Sequence, residues 1–180
     1  MSTDREILQL YREGGREEAF RLLVQNYKER LYWHIRRMVL DHDDTDDCLQ
    51  NTFIKAWQSL DRFRGDSQLY TWLYRIATNE TLTFLCRQQT RGGQLELDAA
   101  SRLSTDPWFD GDALQEALYK SIAKLPPKQK AVFNLRYFEE MPYEKISQVL
   151  ETSEGALKAS YHHAYEKVKA WMKEEMDAKY

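Results

Sequence analysis

The sequence of 180 residues has no hydrophobic run that approaches the length of a membrane-spanning helix, and it contains only two cysteines, Cys48 and Cys86. The first charged residue is the fourth, which is unlike the apolar centre of a secretory signal. The two cysteines are far apart and have no companion His or Cys at the spacing of metal ligands. We therefore expect a cytoplasmic protein whose two thiols are reduced and half-buried.

The sequence also lacks the motifs that carry common enzyme chemistry. It has no Ser/His/Asp grouping, no glycine-rich phosphate loop that opens a helix and no HExxH segment. The acidic run Asp41–Asp47 lacks the glycine and the distal glutamate that close a calcium loop. His162 and His163 are adjacent, so on a helix they would point about 100° apart and could not chelate one ion. We expect no catalytic residue, no metal and no cofactor.

The net charge is slightly negative, −3 at pH 7. Proteins that hold DNA unaided usually carry a basic footprint, because neutralising phosphates supplies most of the sequence-independent affinity. Here the positive charge is local, since residues 53–91 and 155–173 are each richer in basic than in acidic groups. This distribution favours a protein that contacts DNA while another molecule holds it there.

Composition and periodicity predict an all-α fold with two small helical domains. The hydrophobic fraction of 42% and the aromatic fraction of 13% are sufficient for a packed core. Residues 1–90 show almost continuous helical periodicity, interrupted by the acidic run and by Arg64–Asp66. Residues 91–111 are rich in glycine and have no helical stripe, which predicts a flexible linker. Helical periodicity resumes over residues 112–180.

The segment between Leu125 and Lys169 has the spacing of a helix-turn-helix. Two apolar stripes define its helices, Tyr143, Ile146, Val149 and Leu150 in the first and Leu157, Tyr161, Ala164 and Val168 in the second. Pro142 is a favourable first residue for the first helix, and Thr152 or Ser153 can cap the second. The opposite face of the second helix is free to meet a DNA groove and carries Glu154, Lys158, Ser160, His162 and His163. Stripes of this kind also occur in ordinary helical bundles, so periodicity alone leaves both interpretations open.

A second candidate for nucleic-acid contact lies between Phe63 and Arg91. It combines arginines, small hydrogen-bonding side chains and the aromatic residues Phe63, Tyr70, Trp72, Tyr74 and Phe84. This mixture suits single-stranded nucleic acid, whose bases stack on rings while Arg holds the backbone. We expect Trp72, Leu73 and Ile76 to anchor the helix in its core. The exposed face and the loop at Arg64–Ser67 are then the better candidates for contact.

Three segments together resemble the bacterial sigma factors of the extracytoplasmic-function (ECF) group. They are DDTDDCLQNTFIKAW (43–57), TWLYRIATNETLTFLCR (71–87) and the helix-turn-helix. The resemblance covers nearly the whole chain apart from the linker. It implies that residues 1–90 form sigma region 2 and residues 112–180 form sigma region 4. It also implies a subunit that is not an enzyme, binds core RNA polymerase, directs it to promoters and helps to melt the DNA.

The resemblance further implies roles for individual residues. Asp47, Gln50 and Asn51 match the helix that docks on the polymerase, although Asn51 stands where the family commonly has an acidic residue. The residues that match the elements capturing the single-stranded −10 element are Arg64, Ser67, Tyr70, Arg75, Asn79 and Thr83. Those that match the reader of the duplex −35 element are Ser153, Glu154, Gly155, Lys158, Ser160, His162 and His163. Three arginines common in that recognition helix are replaced here by Ser160, His163 and Tyr165. Members of the group are commonly held inactive by an anti-sigma factor, often membrane-anchored, so such a partner is expected.

Two other interpretations compete with this one. A free-standing helix-turn-helix regulator would bind duplex DNA as a dimer, and it would be expected to be basic, which the net charge argues against. A purely protein-binding helical module would leave both the mixture of arginine and aromatic residues and the helix-turn-helix spacing unexplained.

Overall fold

The computed structural model describes residues 2–90, 103–107 and 109–179, and within these ranges it contains eight α-helices, two 3-10 turns and no strand. The first four helices are α1 (Asp4–Arg12), α2 (Arg16–Val39), α3 (His42–Ser59) and α4 (Leu69–Thr90). The last four are α5 (Ala113–Ala123), α6 (Pro127–Tyr137), α7 (Tyr143–Leu150) and α8 (Glu154–Lys179). The all-α prediction is confirmed. Residues 91–102 of the predicted linker lie outside the described residues.

The ends of α1 follow from local hydrogen bonding. The Thr3 hydroxyl accepts a hydrogen bond from the Glu6 amide at 3.2 Å, and the Glu6 carboxylate accepts one from the Thr3 amide at 2.6 Å. This reciprocal capping box satisfies two amides that have no partner inside the helix. After the helix, Gly14 has a φ of 91°, a left-handed conformation that glycine adopts without steric cost. Both ends of α1 are therefore determined by residues within or next to the helix.

Helix α3 begins inside the acidic run and not after it. Asp41 is its N-cap, and the Asp41 carboxylate accepts a hydrogen bond from the Asp44 amide at 2.9 Å. Asp43 and Asp44 lie in the first turn, where negative charge complements the helix dipole. The break predicted at the acidic run is confirmed but is shorter than the run, because one capping residue after Leu40, which has a φ of 69°, is enough to start a new helix.

Helix α2 is the centre of the amino-terminal half. An apolar stripe with helical spacing, which starts at Phe20, is buried along the helix at Leu23, Tyr27, Leu31, Ile35 and Met38. Phe20, at the start of the stripe, is half-buried and meets the rings of Phe53 and Trp57 edge-on. Helix α4 packs against both α2 and α3, with Leu69, Leu73, Tyr74, Ala77 and Leu85 buried. Trp72 and Ile76, expected as core anchors beside Leu73, are only half-buried.

His34 connects α2 to α4 in the interior, where its Nε2 lies 2.9 Å from the hydroxyl oxygen of Thr78. Burial, with a smaller contribution from Arg37, lowers the pKa of His34 to about 3, so the folded protein holds the ring neutral. Histidine in the unfolded chain titrates near 6.5, so the stability gained by keeping His34 neutral is complete above that pH and is lost as the pH falls from there towards 3.

This pH dependence can be measured by urea denaturation. Between pH 7 and pH 5, we expect the wild type to lose about 2 kcal/mol more unfolding free energy than a His34→Gln variant. Equal losses in the two proteins would contradict a buried neutral histidine.

The helix-turn-helix is present as predicted. Helix α7 is followed by a turn in which Glu151 adopts a left-handed conformation with a φ of 51°, and α8 begins at Glu154. The Ser153 hydroxyl caps α8 by accepting a hydrogen bond from the Ala156 amide at 3.3 Å. Pro142 directly precedes α7 and is not its first helical residue. The inner faces of α7 and α8 are buried at Ile146, Val149, Leu157, Ala164 and Val168.

The two halves pack against each other and share one hydrophobic core. The cluster that holds Ile35 and Leu73 from the first half continues into Val132, Leu135 and Met141 from the second. Helix α4 packs against α6 and α7, and α2 packs against α5 and α6. The sequence predicts two domains but not this contact between them.

The described part of the predicted linker also packs against both halves. Leu103 is fully buried in a cluster with Leu40 at the end of α2 and with Tyr119 and Ala123 on α5. Asp106 accepts a charge-assisted hydrogen bond from Arg36, whose side chain is only 1% exposed. These contacts attach the residues before α5 to the surface of α2.

Candidate nucleic-acid interface

The residues predicted to bind the polymerase lie on the outer face of α3. Asp47, Gln50 and Asn51 are all exposed. The opposite face of the helix is buried at Cys48, Thr52 and Ala56, and the Thr52 hydroxyl donates to the Cys48 carbonyl at 2.7 Å. The helix therefore has a satisfied interior face, and the polar residues on its outer face are available to a partner.

The same outer face includes one apolar residue, Ile54, that is not among the predicted site residues. Ile54 is 49% exposed, and it follows Gln50 and Asn51 at the spacing of one helical turn. Because the centre of a protein-binding surface is more apolar than its rim, Ile54 is a candidate for the centre of a contact on this face. Helical spacing alone places Ile54 on the same face as Gln50 and Asn51. The sequence does not show, however, that this face of α3 is the exposed one.

The residues predicted for −10 DNA lie in two neighbouring groups along α4. Ser67 and Arg75 line one groove, together with Asp66, Thr71 and Trp72. Asn79 and Thr83 line a second groove, together with Leu82, Cys86, Arg87 and Thr90. Arg64 is exposed in the loop before α4, and Tyr70 is half-buried with its ring 5.9 Å from that of Tyr74. The structure thus adds side chains on α4, above all Arg87, which continue the stripe formed by Asn79 and Thr83.

Two residues of this segment differ from expectation. Tyr74, grouped with the aromatic residues suited to stacking on bases, is fully buried, and its hydroxyl donates to Glu139 at 2.8 Å. Burial and the neighbouring Glu139 carboxylate raise the pKa of Tyr74, so it stays protonated as a hydrogen-bond donor.

The two cysteines, both expected to be half-buried, differ from each other in exposure. Cys86 is exposed. Cys48 is buried, which raises the pKa of its thiol to about 12.

The residues predicted for −35 DNA lie along the first half of α8 and just before it. Ser153, Glu154, Gly155, Lys158, His162 and His163 are exposed, whereas Ser160 is half-buried and faces partly inward. The Lys158 ammonium lies 5.8 Å from the centre of the Tyr143 ring, which orients it without burying its charge. Lys158 is the only lysine or arginine in this predicted set.

The two predicted DNA-binding surfaces meet in this structure. Arg75 on α4 forms an ion pair with Glu151, in the turn that leads into α8. Ser147 and Gln148 of α7 line the same groove as Ser67 and Arg75. Helix α7 therefore covers part of the surface predicted to hold −10 DNA.

Among the described residues, no helix is long and apolar enough to cross a bilayer. No cluster of three or more His, Cys, Asp or Glu side chains in the described ranges could hold a metal ion.

Comparison with known proteins connects these surfaces to a family. Residues 23–91 match the family described as Sigma-70 region 2, and residues 115–168 match Sigma-70, region 4. The ECF RNA polymerase sigma-E factor of Escherichia coli K12 is 30% identical over 181 residues, covering 92% of each chain. This chain belongs to the ECF group of the sigma-70 family. The RNA polymerase sigma-H factor of Pseudomonas aeruginosa is also 30% identical to this sigma factor, covering 87% of each chain.

Solved structures support the fold of this sigma factor. CnrH in complex with the cytosolic domain of CnrY superposes with a TM-score of 0.66 and 26% identity, covering 89% of this chain and 91% of CnrH. The sigma factor RpoE of Bartonella quintana, in complex with the anti-sigma factor NepR, superposes with a TM-score of 0.67 over 86% of this chain and 96% of RpoE. At 21% identity, the second comparison shows the fold alone. The family predicted from the sequence is confirmed, and a free-standing regulator is not favoured.

Proposed function

We propose that this sigma factor binds core RNA polymerase through α3, captures single-stranded −10 DNA with α4 and the loop before it, and reads duplex −35 DNA with α8. In this proposal residues 1–90 act as region 2, residues 112–180 as region 4, and residues 91–111 as the linker. The observation that supports it is that most of the predicted residues in all three sets are exposed, while Ser67, Tyr70 and Ser160 are half-buried. In this proposal the chain acts in the cytoplasm as a targeting subunit of the polymerase.

The contact with polymerase is proposed to centre on Gln50 and Ile54. We expect Gln50→Ala and Ile54→Ala each to weaken the affinity for core polymerase about tenfold, because residues at the centre of an interface contribute more than 1 kcal/mol when truncated. Both side chains are exposed, so the melting temperature should not change. Fluorescence anisotropy of labelled protein titrated with core polymerase measures the affinity. Gln25→Ala, on the exposed part of α2, is the matched control, and equal affinity of all four proteins would show that α3 is not the docking surface.

The contact of α8 with −35 DNA is proposed to depend on Lys158. We expect Lys158→Ala to weaken promoter binding by the assembled holoenzyme and to reduce the slope of log K against log salt by about one, because one phosphate contact is lost. Lys173→Ala removes the same charge near the other end of α8 and should leave the slope unchanged. A filter-binding titration at several salt concentrations measures both quantities. Equal slopes for the two variants would exclude Lys158 from the DNA interface.

We also propose an anti-sigma factor as a partner of this chain. Both solved structures described above are complexes, CnrH with the cytosolic domain of CnrY and RpoE of Bartonella quintana with the anti-sigma factor NepR. The resemblance to ECF sigma factors makes a membrane-anchored partner the expected form.

A further inference from the structure

We propose that Tyr11 and Arg16 are positioning residues for the capture of −10 DNA, and that they act by holding Asp61 at the start of the loop before α4. None of these three residues belongs to the sets predicted for polymerase, −10 DNA or −35 DNA. The inference rests on the proposed role of the loop, whose exposed Arg64 belongs to the −10 set. It adds the contacts that determine where the loop begins, and it gives α1 a part in promoter recognition.

Asp61 is held by two donors from different helices. It lies in the 3-10 turn Leu60–Arg62, which connects the end of α3 to the loop. The Tyr11 hydroxyl, in the last turn of α1, donates to the Oδ1 atom of Asp61. The Arg16 guanidinium, at the first residue of α2, donates to the Oδ2 atom at 3.2 Å. Because each carboxylate oxygen has its own donor, both the position and the rotation of the carboxylate are fixed.

Arg16 also holds the end of α3. Its Nη2 donates to the Trp57 carbonyl at 2.8 Å, and its Cζ lies 4.2 Å from the centre of the Trp57 ring. The last carbonyls of a helix have no partner inside the helix, and a cation there complements the helix dipole. Arg16 therefore connects the start of α2, the end of α3 and the turn that follows α3. A lysine could not make these contacts together, because it lacks the planar guanidinium group.

The tight turn between α1 and α2 brings the two donors to the same side of the molecule. The Gly15 amide donates to the Leu10 carbonyl at 3.0 Å, and a Cβ atom at Gly15 would approach that oxygen to 3.2 Å. Glycine therefore allows α2 to begin directly after α1. As a result, Tyr11 and Arg16 both contact Asp61 although they belong to different helices.

The residues that follow Asp61 are held only at the start of the loop. The Phe63 amide donates to the Leu60 carbonyl at 3.1 Å, and the Phe63 ring lies 5.2 Å from the Trp72 ring. Residues 64–66, which come next, are exposed. A displaced turn would therefore displace the residues proposed to meet DNA. A loop that is already ordered loses less conformational freedom when it binds, so its affinity is higher.

The charge of Asp61 distinguishes this proposal from a simpler one. The Asp61 side chain is 59% exposed. An exposed carboxylate near DNA repels phosphate, so its removal alone should leave DNA binding equal or tighter. If Asp61 positions the loop, its removal should instead weaken binding. Exposed ion pairs contribute little to folding, so the melting temperature should stay that of the wild type in either case.

Binding of single-stranded −10 DNA by the holoenzyme tests the direction of this effect. The probe is a fluorescein-labelled strand with the −10 sequence of a genomic fragment that the wild-type holoenzyme transcribes, titrated at saturating core polymerase. We expect Asp61→Ala to weaken binding about tenfold, and Tyr11→Phe and Arg16→Lys, which preserve net charge, about threefold each. Glu17→Ala removes an exposed carboxylate beside Arg16 and should bind like the wild type. Equal or tighter binding by Asp61→Ala would overturn the proposal.

Two double variants test whether Asp61 acts through the loop. In an Arg64→Ala chain, we expect Asp61→Ala to weaken binding by less than about threefold, because the side chain that the turn places is already missing. In an Asn79→Ala chain, the full effect of about tenfold should remain, since Asn79 lies on α4 and not in the loop. An equal effect in the two chains would overturn the proposal, because Asp61 would then not act through Arg64.

Amide hydrogen exchange of the free chain tests the same contacts without DNA or polymerase. In a Tyr11→Phe/Arg16→Lys chain, we expect the amides of residues 61–68 to exchange about tenfold faster than in the wild type, because the turn is no longer held. Neither substitution lies in this segment, so its intrinsic exchange rates do not change. Unchanged exchange over residues 61–68 would overturn the proposal. A wild-type holoenzyme that transcribes no fragment would contradict the proposed function, whereas the exchange result decides separately whether Tyr11 and Arg16 hold the loop.

Discussion

Replacing Arg64 and Asn79 together by alanine is expected to reduce promoter-dependent transcription about 100-fold. Both side chains are exposed, one in the loop before α4 and the other on its outer face. Contacts of arginine, amide or aromatic side chains with bases are worth about 1–3 kcal/mol each, and 1.4 kcal/mol corresponds to a factor of ten. The two residues lie on different elements, so their effects should be close to additive.

The measurement is runoff transcription at saturating core polymerase, so that polymerase binding does not limit the result. Permanganate reactivity of unpaired thymines should fall in parallel, because the proposed role is capture of melted DNA. Arg5→Ala/Gln9→Ala removes the same two chemical groups from exposed positions on α1 and should transcribe like the wild type. If the Arg64→Ala/Asn79→Ala variant melts the promoter as well as the control does, the loop and α4 do not hold the −10 element.

Replacing Leu73 by alanine is expected to lower the free energy of unfolding by about 3 kcal/mol. Leu73 is fully buried on the inner face of α4, in the cluster shared by the two halves of the chain. Truncating a buried leucine loses the transfer free energy of its methyl groups and leaves a cavity, which together cost 2–5 kcal/mol. Because the outer face of α4 carries Arg75, Asn79 and Thr83, loosening this helix should also weaken capture of −10 DNA.

Urea denaturation at neutral pH measures the loss of stability. Leu114→Ala makes the same chemical change at a side chain that is 55% exposed, and it should change the unfolding free energy by less than about 0.5 kcal/mol. Similar losses in the two variants would show that Leu73 is not part of a closely packed core.

The apolar stripe of α2 and the two stripes of the helix-turn-helix could be predicted from the sequence, because helical spacing alone identifies which side chains share a face. The caps at Thr3 and Ser153 were equally accessible, since each depends on residues three positions away. These local rules reach only one helical turn. They fix where helices begin and which face is inward, but they do not identify what covers that face.

Tyr74 and Leu103 show where such rules end. Tyr74 belongs to a segment rich in arginine and aromatic residues, yet its hydroxyl is directed at Glu139, a residue 65 positions later in the chain. Leu103 lies in a segment without helical periodicity, yet it is fully buried between α2 and α5. Both outcomes depend on contact between the two halves, and no periodicity in either half encodes that contact.

The shortage of arginine on α8 is consistent with the proposed mechanism. Lys158 is the only lysine or arginine in the predicted −35 set, so we expect this set to contribute little phosphate affinity on its own. A polymerase that holds both halves on one promoter would raise the effective concentration of α8 at its element, so a weak contact would suffice. Binding to promoter DNA is then expected to depend on the polymerase.

Runoff transcription with purified components tests this dependence most directly. Core RNA polymerase together with this chain should give a discrete transcript from a subset of genomic promoter fragments, and neither component should give it alone. The chain without polymerase should bind those fragments only weakly and with little sequence preference. Tight promoter binding by the chain alone, or the absence of a transcript from every genomic fragment, would contradict the account.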